Sequence, residues 1–338
     1  MTEGDWSLDR ALATTTLETL RTGRRIIMPT HQNVDADGLG SPLALMHALA
    51  PFGIEAIPVV SDGFIPPSLL FLPGIEKAIV YGKDRLPDYD MLCLVDCSDR
   101  RRLGSFYQDD PSRIDGSVPI VNIDHHVTND LYGVVNVVFP RAASTAEIVS
   151  DLVNAWNCDI TIEIAQCLLA GIYGDTLGLR TEATTSRTMR TSADLVDAGA
   201  NPAAITDSLF RLKPASTVCL WEHLLRRVDW TGQLIWTEVA KSDLDVCNAA
   251  PAEAEGLVNF LAGTEGSRAA LIMYEVDGGW RVSMRSLPVD VDVAKIASEF
   301  GGGGHPRAAG CQIMGGEPEK RYFLQRVSEL ILPGAGPQ

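Results

Sequence analysis

The segment RRIIMPTHQNVDADGLGS, residues 24–41, decides the fold of this chain of 338 residues. Its first part, RRIIMPT, is an apolar run typical of a buried strand. That run leads directly into three ionisable side chains with the spacing H-x-x-x-D-x-D: His31, Asp35 and Asp37. Such crowding at the end of a strand costs solvation free energy unless something offsets the charge. A local explanation is that Asp35 or Asp37 caps a helix that begins near Leu39.

The first half of the chain alternates short apolar strands with helical patterns. We predict strands at Arg25–Thr30, Ile54–Val60, Ala78–Tyr81, Met91–Asp96 and Ile120–Asp124. We predict helices at Leu39–Ala50, Ala146–Trp156 and Ile162–Tyr173. Nearly continuous apolar strands separated by helices are typical of a parallel sheet with both faces covered. Sites in such α/β folds form where the strands end, at their carboxyl edge.

The second half predicts a linker and a smaller domain. Lys213–Pro214 interrupts a helical pattern, because proline disfavours helix at the residue before it. Domains are therefore expected at residues 1–190 and 217–338, joined by a helical linker at 191–216. In the last part we predict strands near Ile235–Val239, Ala270–Glu275, Arg281–Arg285 and at AAGCQIM, and helices at Val218–Val228 and Val291–Glu299. The glycine-rich segment GGGGHPRAAG, residues 301–310, is expected to be a loop.

Composition excludes several classes of protein. The net charge of −16 argues against long duplex nucleic acid bound to a basic surface, although it allows a short anionic substrate. No apolar stretch is long enough to span a bilayer, and the amino terminus does not resemble a signal peptide. The seven cysteines are scattered, and an odd count argues against a complete disulfide framework. We expect a reduced, cytoplasmic protein with no membrane partner.

Three further clusters carry similar chemistry at the predicted ends of strands or helices. Asp96 closes the strand in MLCLVDCSD, Asp175 follows an apolar helix in GIYGDTLGLR, and NIDHHVTND contains Asp124, His125 and His126. Taken singly, Asp96 and Asp175 are explained as turn residues. Adjacent histidines beside an aspartate are harder to explain locally, because histidine is the commonest protein ligand of transition metals.

Taken together, these clusters indicate a metal centre. Asp35, Asp37, Asp96 and Asp175 carry four negative charges, which two divalent cations would neutralise. Mixed imidazole and carboxylate ligands suit Mn²⁺ better than Mg²⁺, and the lack of nearby thiolate pairs argues against structural zinc. Two histidines lie outside the clusters on helical patterns, where packing or solvation explains them: His47 and His223. No P-loop motif is present, which argues against hydrolysis of nucleoside triphosphates by that route.

The motifs HQNVDADGLGS, LVDCSD, IDHHVTN and YGDTLGLR resemble, in order, the four motifs of the DHH phosphoesterase superfamily. GGGGHPRAAG, preceded by VSMRS, is similar to the associated DHHA1 substrate-binding domain. Within that superfamily the chain resembles the stand-alone nanoRNase and pAp phosphatase enzymes. The resemblance implies an α/β fold: an N-terminal parallel-sheet DHH domain with helices on both faces, a helical linker and a smaller C-terminal α/β DHHA1 domain. Small departures occur at Val34 and Leu177, neither of which is a ligand position.

The resemblance also implies roles for individual residues. One metal ion would be bound by His31, Asp35 and Asp96. The other would be bound by Asp37, Asp96, His125 and Asp175, so that Asp96 bridges the two ions. His126 would contact the phosphate, while a hydroxide activated by the two metals attacks phosphorus. Substrate binding is expected from Arg285, Ser286, Gly302, Gly303, Gly304, His305 and Arg180. The segment AASTAEIV, residues 142–149, also resembles the family, but helix capping by Ser144 or Thr145 explains it.

The function implied is Mn²⁺-dependent hydrolysis of short RNA oligonucleotides, with pAp as a further substrate. One alternative is a phosphodiesterase for linear or cyclic di-adenylate (pApA or c-di-AMP). Another is an inorganic pyrophosphatase, which GGGGH and VSMRS disfavour. From a different class, the chain could be a catalytically inactive nucleotide-binding regulator, but such a protein should have lost a ligand and none is lost. The expected partners are short RNA or adenosine nucleotides, and no long duplex nucleic acid is expected. Whether the chain forms a homodimer is left open by the sequence.

Overall fold

The computed structural model describes residues 6–61 and 63–332, and the chain forms two compact units, Met1–Leu212 and Lys213–Gln338. Residues 1–5, the start of the segment predicted not to be a signal peptide, lie outside the described range. The boundary between the two units falls between Leu212 and Lys213, within the predicted linker. Most of that linker packs on the first unit, because Leu195 and Ile205 are buried in its core. None of the helices in the described ranges is long and apolar enough to cross a membrane.

The first unit is built on a sheet of six parallel strands. They are β1 (Arg25–Pro29), β2 (Glu55–Val60), β3 (Ile79–Val80), β4 (Met91–Val95), β5 (Ile120–Asp124) and β6 (Val135–Val138). Their order is β3-β2-β1-β4-β5-β6, and every pair is parallel. All five residues of β4 and of β5 are buried, which explains why these strands lack an alternating polar pattern. The sequence did not predict β6.

Helices cover the two faces of this sheet unequally. They are α1 (Arg10–Leu20), α2 (Ala36–Leu49), α3 (Gly104–Gln108), α4 (Thr145–Ala155), α5 (Ile162–Thr176), α6 (Ser186–Asp197) and α7 (Pro202–Thr206). One core lies under α1, α2, α4 and α5, and the other contains Phe106 from the short α3. The structure extends α5 three residues past its predicted end, so Asp175 lies in the last helical turn and Leu177 takes a left-handed φ of 50°.

The second unit contains a mixed sheet of six strands. They are β7 (Asp229–Thr231), β8 (Leu234–Val239), β9 (Ala269–Val276), β10 (Gly279–Ser286), β11 (Gly303–His305) and β12 (Ala308–Met314), in the order β11-β12-β10-β9-β8-β7. Its helices are α8 (Ala215–Leu225), α9 (Lys241–Cys247), α10 (Glu255–Ala262), α11 (Val293–Ser298) and α12 (Glu317–Leu330). The sequence did not predict β7, α9, α10 or α12. The glycine-rich segment, expected to be a loop, contributes the edge strand β11.

A disulfide joins α8 to α9, contrary to the expectation of a fully reduced chain. It links Cys219 to Cys247, which are 28 residues apart in sequence, and the other five cysteines are free thiols. The scattered cysteine spacing gave no sign of this pairing, because two helices bring the residues together only in the folded unit.

Candidate metal centre

Six acidic and imidazole side chains meet at the carboxyl edge of the parallel sheet. They are the residues expected as metal ligands: His31, Asp35, Asp37, Asp96, His125 and Asp175. The adjacent strands β1, β4 and β5 each end one or two residues before a member of this set. The beginning of α2 and the last turn of α5 supply the remaining three. The topology therefore brings four motifs that are distant in sequence together at the carboxyl edge of the sheet, where parallel α/β folds form their sites.

The first group of candidate ligands is His31, Asp35 and Asp96, whose ligand atoms all lie within 4.8 Å of one another. His31 Nε2 is 3.4 Å from Asp96 Oδ2 and 3.8 Å from Asp35 Oδ1. His31 Nδ1 lies 2.8 Å from the carbonyl oxygen of Gln32. Because a carbonyl oxygen only accepts, Nδ1 carries a proton, and Nε2 is the ring nitrogen that faces the carboxylates.

The second group is Asp37, His125 and Asp175. His125 Nε2 is 3.1 Å from Asp175 Oδ2 and 3.6 Å from Asp96 Oδ1, while its Nδ1 lies 3.3 Å from the carbonyl oxygen of Ala142. Both histidines thus present Nε2 to the carboxylates in the same way. Asp96 directs Oδ2 to His31 and Oδ1 to His125, so it is the one carboxylate that joins the two groups.

The backbone at Asp96 is strained. Its φ of 58° lies in the left-handed region, which is uncommon for residues other than glycine, although aspartate tolerates it better than most. The Asp96 N–H donates to the carbonyl oxygen of Ile123 at 2.9 Å, and the Thr145 hydroxyl donates to Asp96 Oδ1 at 3.0 Å. Strain of this kind persists where the surroundings impose it, and here it sets the direction of the shared carboxylate.

Backbone N–H groups in the first turns of α2 and α4 donate hydrogen bonds to two candidate ligands, Asp35 and Asp37. Asp35 caps α2, because its Oδ1 accepts from the N–H groups of Asp37 and Gly38 at 3.1 and 2.9 Å. The cap that the local explanation predicts is therefore present, and the same Oδ1 atom also lies 3.8 Å from His31 Nε2. Asp37 is fully buried, and its carboxylate accepts from the N–H groups of Thr145 and Ala146 at 2.6 and 2.8 Å. The amino end of α4 stabilises this negative charge.

Two glycines make room for the ligands. A Cβ at Gly38 would lie 2.5 Å from His31 Nε2, and a Cβ at Gly171 would lie 2.7 Å from Asp37 Oδ1. Both distances are far below van der Waals contact. The glycines in DADGLG and LLAGIYGD therefore allow α2 and α5 to approach the site closely.

The electrostatics of the centre fit bound cations. Burial raises the pKa of Asp175 to about 6, and burial together with the charges of Asp96 and Asp175 raises the pKa of Asp37. Burial alone would lower the pKa values of His31 and His125, but hydrogen bonds with the carboxylates raise both well above 6.5. The protein groups thus favour extra protons, as expected where several carboxylates share one buried site. Oxygen and imidazole donors in this number suit divalent metal ions.

Residues 25–172 match the model described as the DHH family, N-terminal domain, and residues 244–332 match the DHHA1 domain. The bifunctional oligoribonuclease and PAP phosphatase NrnA of Thermus thermophilus is 33% identical over 311 residues, which cover 90% of this chain and 89% of that protein. The chain belongs to the DHH family.

Two further comparisons agree with this assignment. The DHH protein is 26% identical to the bifunctional oligoribonuclease and PAP phosphatase NrnA of Bacillus subtilis, over 85% of this chain and 89% of that one. Its fold is that of an exopolyphosphatase-related protein from Bacteroides fragilis, with a TM-score of 0.86, 20% identity, and coverage of 96% and 97% of the two chains. The DHH and DHHA1 domains predicted from the motifs are therefore confirmed.

His126 of the DHH motif is held differently from His125. Its Nδ1 lies 2.8 Å from Asp124 Oδ1, so a carboxylate orients the ring. The other oxygen of Asp124 accepts from Asn129 Nδ2 at 2.6 Å, and Asn129 is hydrogen-bonded in turn to the buried Asn122. This chain of polar side chains fixes the ring of His126 beside the candidate metal ligands. Sequence reasoning found His126 and missed both asparagines, although NIDHHVTND contains them.

Thr145 is a second functional residue that sequence reasoning assigned only to helix capping. The cap itself is Ser144, whose hydroxyl accepts from the Glu147 N–H at 3.2 Å. Thr145 instead contacts two candidate ligands, Asp37 through its N–H and Asp96 through its hydroxyl. The resemblance of AASTAEIV to the family was the signal that could have identified it.

In the DHHA1 domain, Arg285, Ala308 and His305 occupy one row across β10, β12 and β11. Residues paired directly across strands point their side chains to the same face, so Arg285 and His305 flank the small Ala308. The strand spacing puts their backbones about 10 Å apart. Arg285 Nε donates to Asn259 Oδ1 at 3.1 Å, and Nη1 donates to the Met284 carbonyl oxygen at 2.9 Å, which holds the guanidinium in place.

Two of the three glycines expected to bind substrate are required by strand pairing. A Cβ at Gly302 would lie 2.1 Å from the carbonyl oxygen of Gly310, and a Cβ at Gly304 would lie 2.4 Å from that of Ala308. Gly303 has open space around its Cβ direction. The close approach of this segment to β12 therefore explains Gly302 and Gly304, whereas no such contact with the described residues requires a glycine at position 303.

Ser286 and Arg180, also expected to bind substrate, differ in exposure. Ser286 is buried, and its hydroxyl donates to the Val291 carbonyl oxygen at 2.9 Å, so it holds the chain that follows β10. Arg180 is exposed, follows the helix that carries Asp175, and donates from Nε to the Leu177 carbonyl oxygen at 2.6 Å. Its guanidinium lies 6.0 Å from the ring centre of Phe210.

We expect the metal-free protein to lose stability as the pH rises from about 4 to above 6. Asp175 has a pKa of about 6 in the fold, against about 3.9 for an unfolded aspartate. The folded state therefore binds more protons across this window, and the free energy of unfolding falls as the pH rises. Saturating Mn²⁺ should remove this dependence, because the cations replace the protons.

Thermal unfolding at several pH values, with Mn²⁺ or with a chelator, tests this expectation. The Asp175→Asn variant is the matched control, since subtracting its profile removes the contribution of all other titrating groups. A metal-free wild type that gains stability relative to Asp175→Asn over the same window would contradict the assignment of Asp175.

Proposed function

We propose that this DHH-family chain is a Mn²⁺-dependent phosphoesterase that hydrolyses short RNA oligonucleotides from one end and dephosphorylates pAp. The observation that carries the proposal is the position of Asp96, with one carboxylate oxygen towards each of two histidines whose Nε2 atoms face the site. The Thermus and Bacillus relatives are each named as a bifunctional oligoribonuclease and PAP phosphatase, which supports this choice of substrates.

The candidate ligands form two sets that share Asp96. One would contain His31, Asp35 and Asp96, and the other would contain Asp37, Asp96, His125 and Asp175. Divalent ions bound there would supply Lewis-acid activation of water and would neutralise charge on the phosphoryl oxygens. Mixed nitrogen and oxygen donors favour Mn²⁺ over Mg²⁺. The unequal environments of the two histidines of the DHH motif divide their work, with His125 as a ligand and His126 as a phosphate contact.

The residues of the chain contribute orientation and charge placement. Asp124 accepts a hydrogen bond from Nδ1 of His126. We therefore assign His126 Nε2 as the atom that contacts a phosphoryl oxygen, where the imidazole stabilises charge that develops in the transition state. Thr145 and the amino end of α4 keep the carboxylates of Asp37 and Asp96 fixed. In such a site the ligands do not need to reorganise during the reaction, which lowers the barrier.

A side-by-side assay of substrates tests the proposal. Turnover should be measured with Mn²⁺, Mg²⁺ and a chelator on pAp, pApA, RNA of a few nucleotides, c-di-AMP and pyrophosphate. We expect Mn²⁺-dependent turnover to be fastest on short RNA and pAp. Faster turnover of c-di-AMP or pyrophosphate would support the corresponding alternative enzyme, and no turnover of any substrate would support an inactive nucleotide-binding protein.

We further propose that Arg285 and His305 anchor one end of the substrate. They stand on one face of the DHHA1 sheet with Ala308 between them, and Gly303 and Gly310 form the neighbouring row on that face. These small residues leave room for a phosphate and sugar between the two cationic or polar side chains. The net charge of −16 offers no basic track for a longer backbone.

Hydrolysis should therefore be fastest on RNA of about two nucleotides and should fall as the length grows. Arg285→Ala and His305→Ala should each raise KM by about tenfold or more, because anchoring an end positions the scissile phosphate. The measurement is kcat/KM across an RNA length series for the wild type and both variants. Arg321→Ala is a suitable control, since this arginine lies on the exposed face of α12. Equal kcat/KM on two and on about twenty nucleotides, unchanged by either substitution, would rule out end anchoring.

A further inference from the structure

The second unit contains a cluster of sulfur and imidazole groups that the proposed phosphoesterase chemistry does not use. Cys219 and His223 lie one helical turn apart on α8, so they share a face of that helix. Cys247 is the last residue of α9 and is joined to Cys219 by the disulfide. The ligand atoms of these three residues all lie within 4.8 Å of one another. Of the candidate ligand groups among the described residues, this is the one that contains sulfur.

The distances within this cluster match a tetrahedral zinc site. With bonds of about 2.3 Å to sulfur and about 2.0–2.1 Å to nitrogen, a tetrahedral ion holds its sulfur and nitrogen ligands about 3.6 Å apart. Cys247 Sγ and His223 Nδ1 are 3.7 Å apart. Glu222 is the candidate fourth donor: its Oε2 lies 3.2 Å from His223 Nδ1 while Oε1 pairs with Arg226, and the carboxylate lies outside the group of mutually close ligand atoms.

Besides a rotation of the Glu222 carboxylate towards the sulfurs, two changes would convert the cluster into that site. The disulfide must open, so that the sulfurs can separate to about 3.8 Å, the spacing of two tetrahedral thiolate ligands. His223 Nδ1, now 3.0 Å from the Cys219 carbonyl oxygen, must exchange that contact for the ion. Both changes are local to α8 and the end of α9, and neither requires the sheet to move.

The other cysteines are poor candidates for the same chemistry. Four of the five free cysteines are buried, and burial raises the pKa values of the Cys93 and Cys97 thiols to about 12 and that of Cys311 to about 11. A thiolate is the form that binds a metal ion. Cys219 is partly exposed and has a histidine beside it, so a reductant and an ion can both reach this cluster.

We propose that reduction turns Cys219, His223 and Cys247 into a binding site for Zn²⁺, with Glu222 as the fourth donor. A dithiol supplies two electrons and two protons, which open the disulfide to two thiols, and the dithiol itself closes to a disulfide. Zn²⁺ then displaces one proton from each thiol to solvent and binds the two thiolates. The ion replaces the disulfide as the link between α8 and α9, and the two links exclude each other. This inference is independent of the proposed function.

Cobalt is the probe that separates this site from the DHH centre. Thiolate ligands give Co²⁺ an intense charge-transfer absorption in the near ultraviolet, and the DHH centre offers only oxygen and nitrogen donors. The full chain, loaded with Mn²⁺, is reduced with dithiothreitol, freed of it under anaerobic conditions and titrated with Co²⁺. We expect the absorption to saturate at one equivalent per chain, to disappear when Zn²⁺ is added, and to be absent from unreduced protein.

Variants assign the absorption to the cluster. Cys219→Ser and Cys247→Ser should each abolish it after reduction, and His223→Ala should weaken Zn²⁺ binding at least about tenfold in competition with a chromogenic chelator. Cys158→Ser, which changes the partly exposed free cysteine, is the matched control and should keep it. Reduced wild type without the absorption would overturn the proposal even if a variant failed to fold. An absorption that survives in both Cys219→Ser and Cys247→Ser would overturn it as well.

Discussion

Phosphoesterase turnover by Asp96→Ala is expected to fall by at least about 10⁴-fold, with loss of bound Mn²⁺. Asp96 is almost fully buried, and its two oxygens face His31 on one side and His125 on the other. Removing it takes the shared carboxylate from both candidate metal positions at once. Two cations held close together would then repel each other with one fewer negative charge between them.

Asp96→Asn separates this effect from a change in folding. Asparagine has the shape of aspartate and tolerates the left-handed φ of 58° as well, whereas alanine does not. We therefore expect Asp96→Asn to keep the unfolding temperature of the metal-free wild type and still to lose turnover and bound Mn²⁺. Asp159→Ala, an exposed aspartate between α4 and α5, is the control that should change neither. Turnover with two ions retained per chain in Asp96→Asn would remove Asp96 from the bridging role.

The proximity of the candidate ligands could be predicted because two of their clusters stand out locally and the others follow in the family's motif order. His31, Asp35 and Asp37 are crowded into seven residues after an apolar strand, and His125 and His126 are adjacent after another. Strands of a parallel sheet end at one edge, so residues that follow neighbouring strands must come close. The structure adds the order of the strands, with β1, β4 and β5 side by side, which no single motif contains.

The supporting residues could not be predicted in this way, because their roles depend on contacts between distant segments. The N–H of Thr145 meets the carboxylate of Asp37 across 108 residues of sequence, and capping was a sufficient local explanation of that segment. Cys219 and Cys247 likewise meet only through the packing of two helices. Gly302 and Gly304 were ascribed to anion binding, since sequence does not reveal that β12 passes within contact distance of them.

His126→Ala is expected to lower kcat by about 10²–10³-fold while bound Mn²⁺ stays close to the wild-type amount. The Nδ1 atom of His126 is hydrogen-bonded to Asp124, whereas the Nδ1 atoms of His31 and His125 face backbone carbonyl oxygens. The ring of His126 is thus oriented by a carboxylate, and its role as the phosphate contact follows from the family pattern of the DHH motif. A contact that strengthens in the transition state acts on kcat more than on KM.

The matched variant is His125→Ala, which should lose turnover and bound Mn²⁺ together. Metal analysis of the two purified proteins, with kcat and KM on pAp, therefore distinguishes the two neighbouring histidines. The comparison is demanding, because Asp96, His125 and His126 also bring their ligand atoms within 4.8 Å of one another. If His126→Ala loses as much Mn²⁺ as His125→Ala, then His126 is a metal ligand. The hydrogen bond that His126 donates to Asp124 would in that case orient a ligand, as outer carboxylates do for metal-bound histidines.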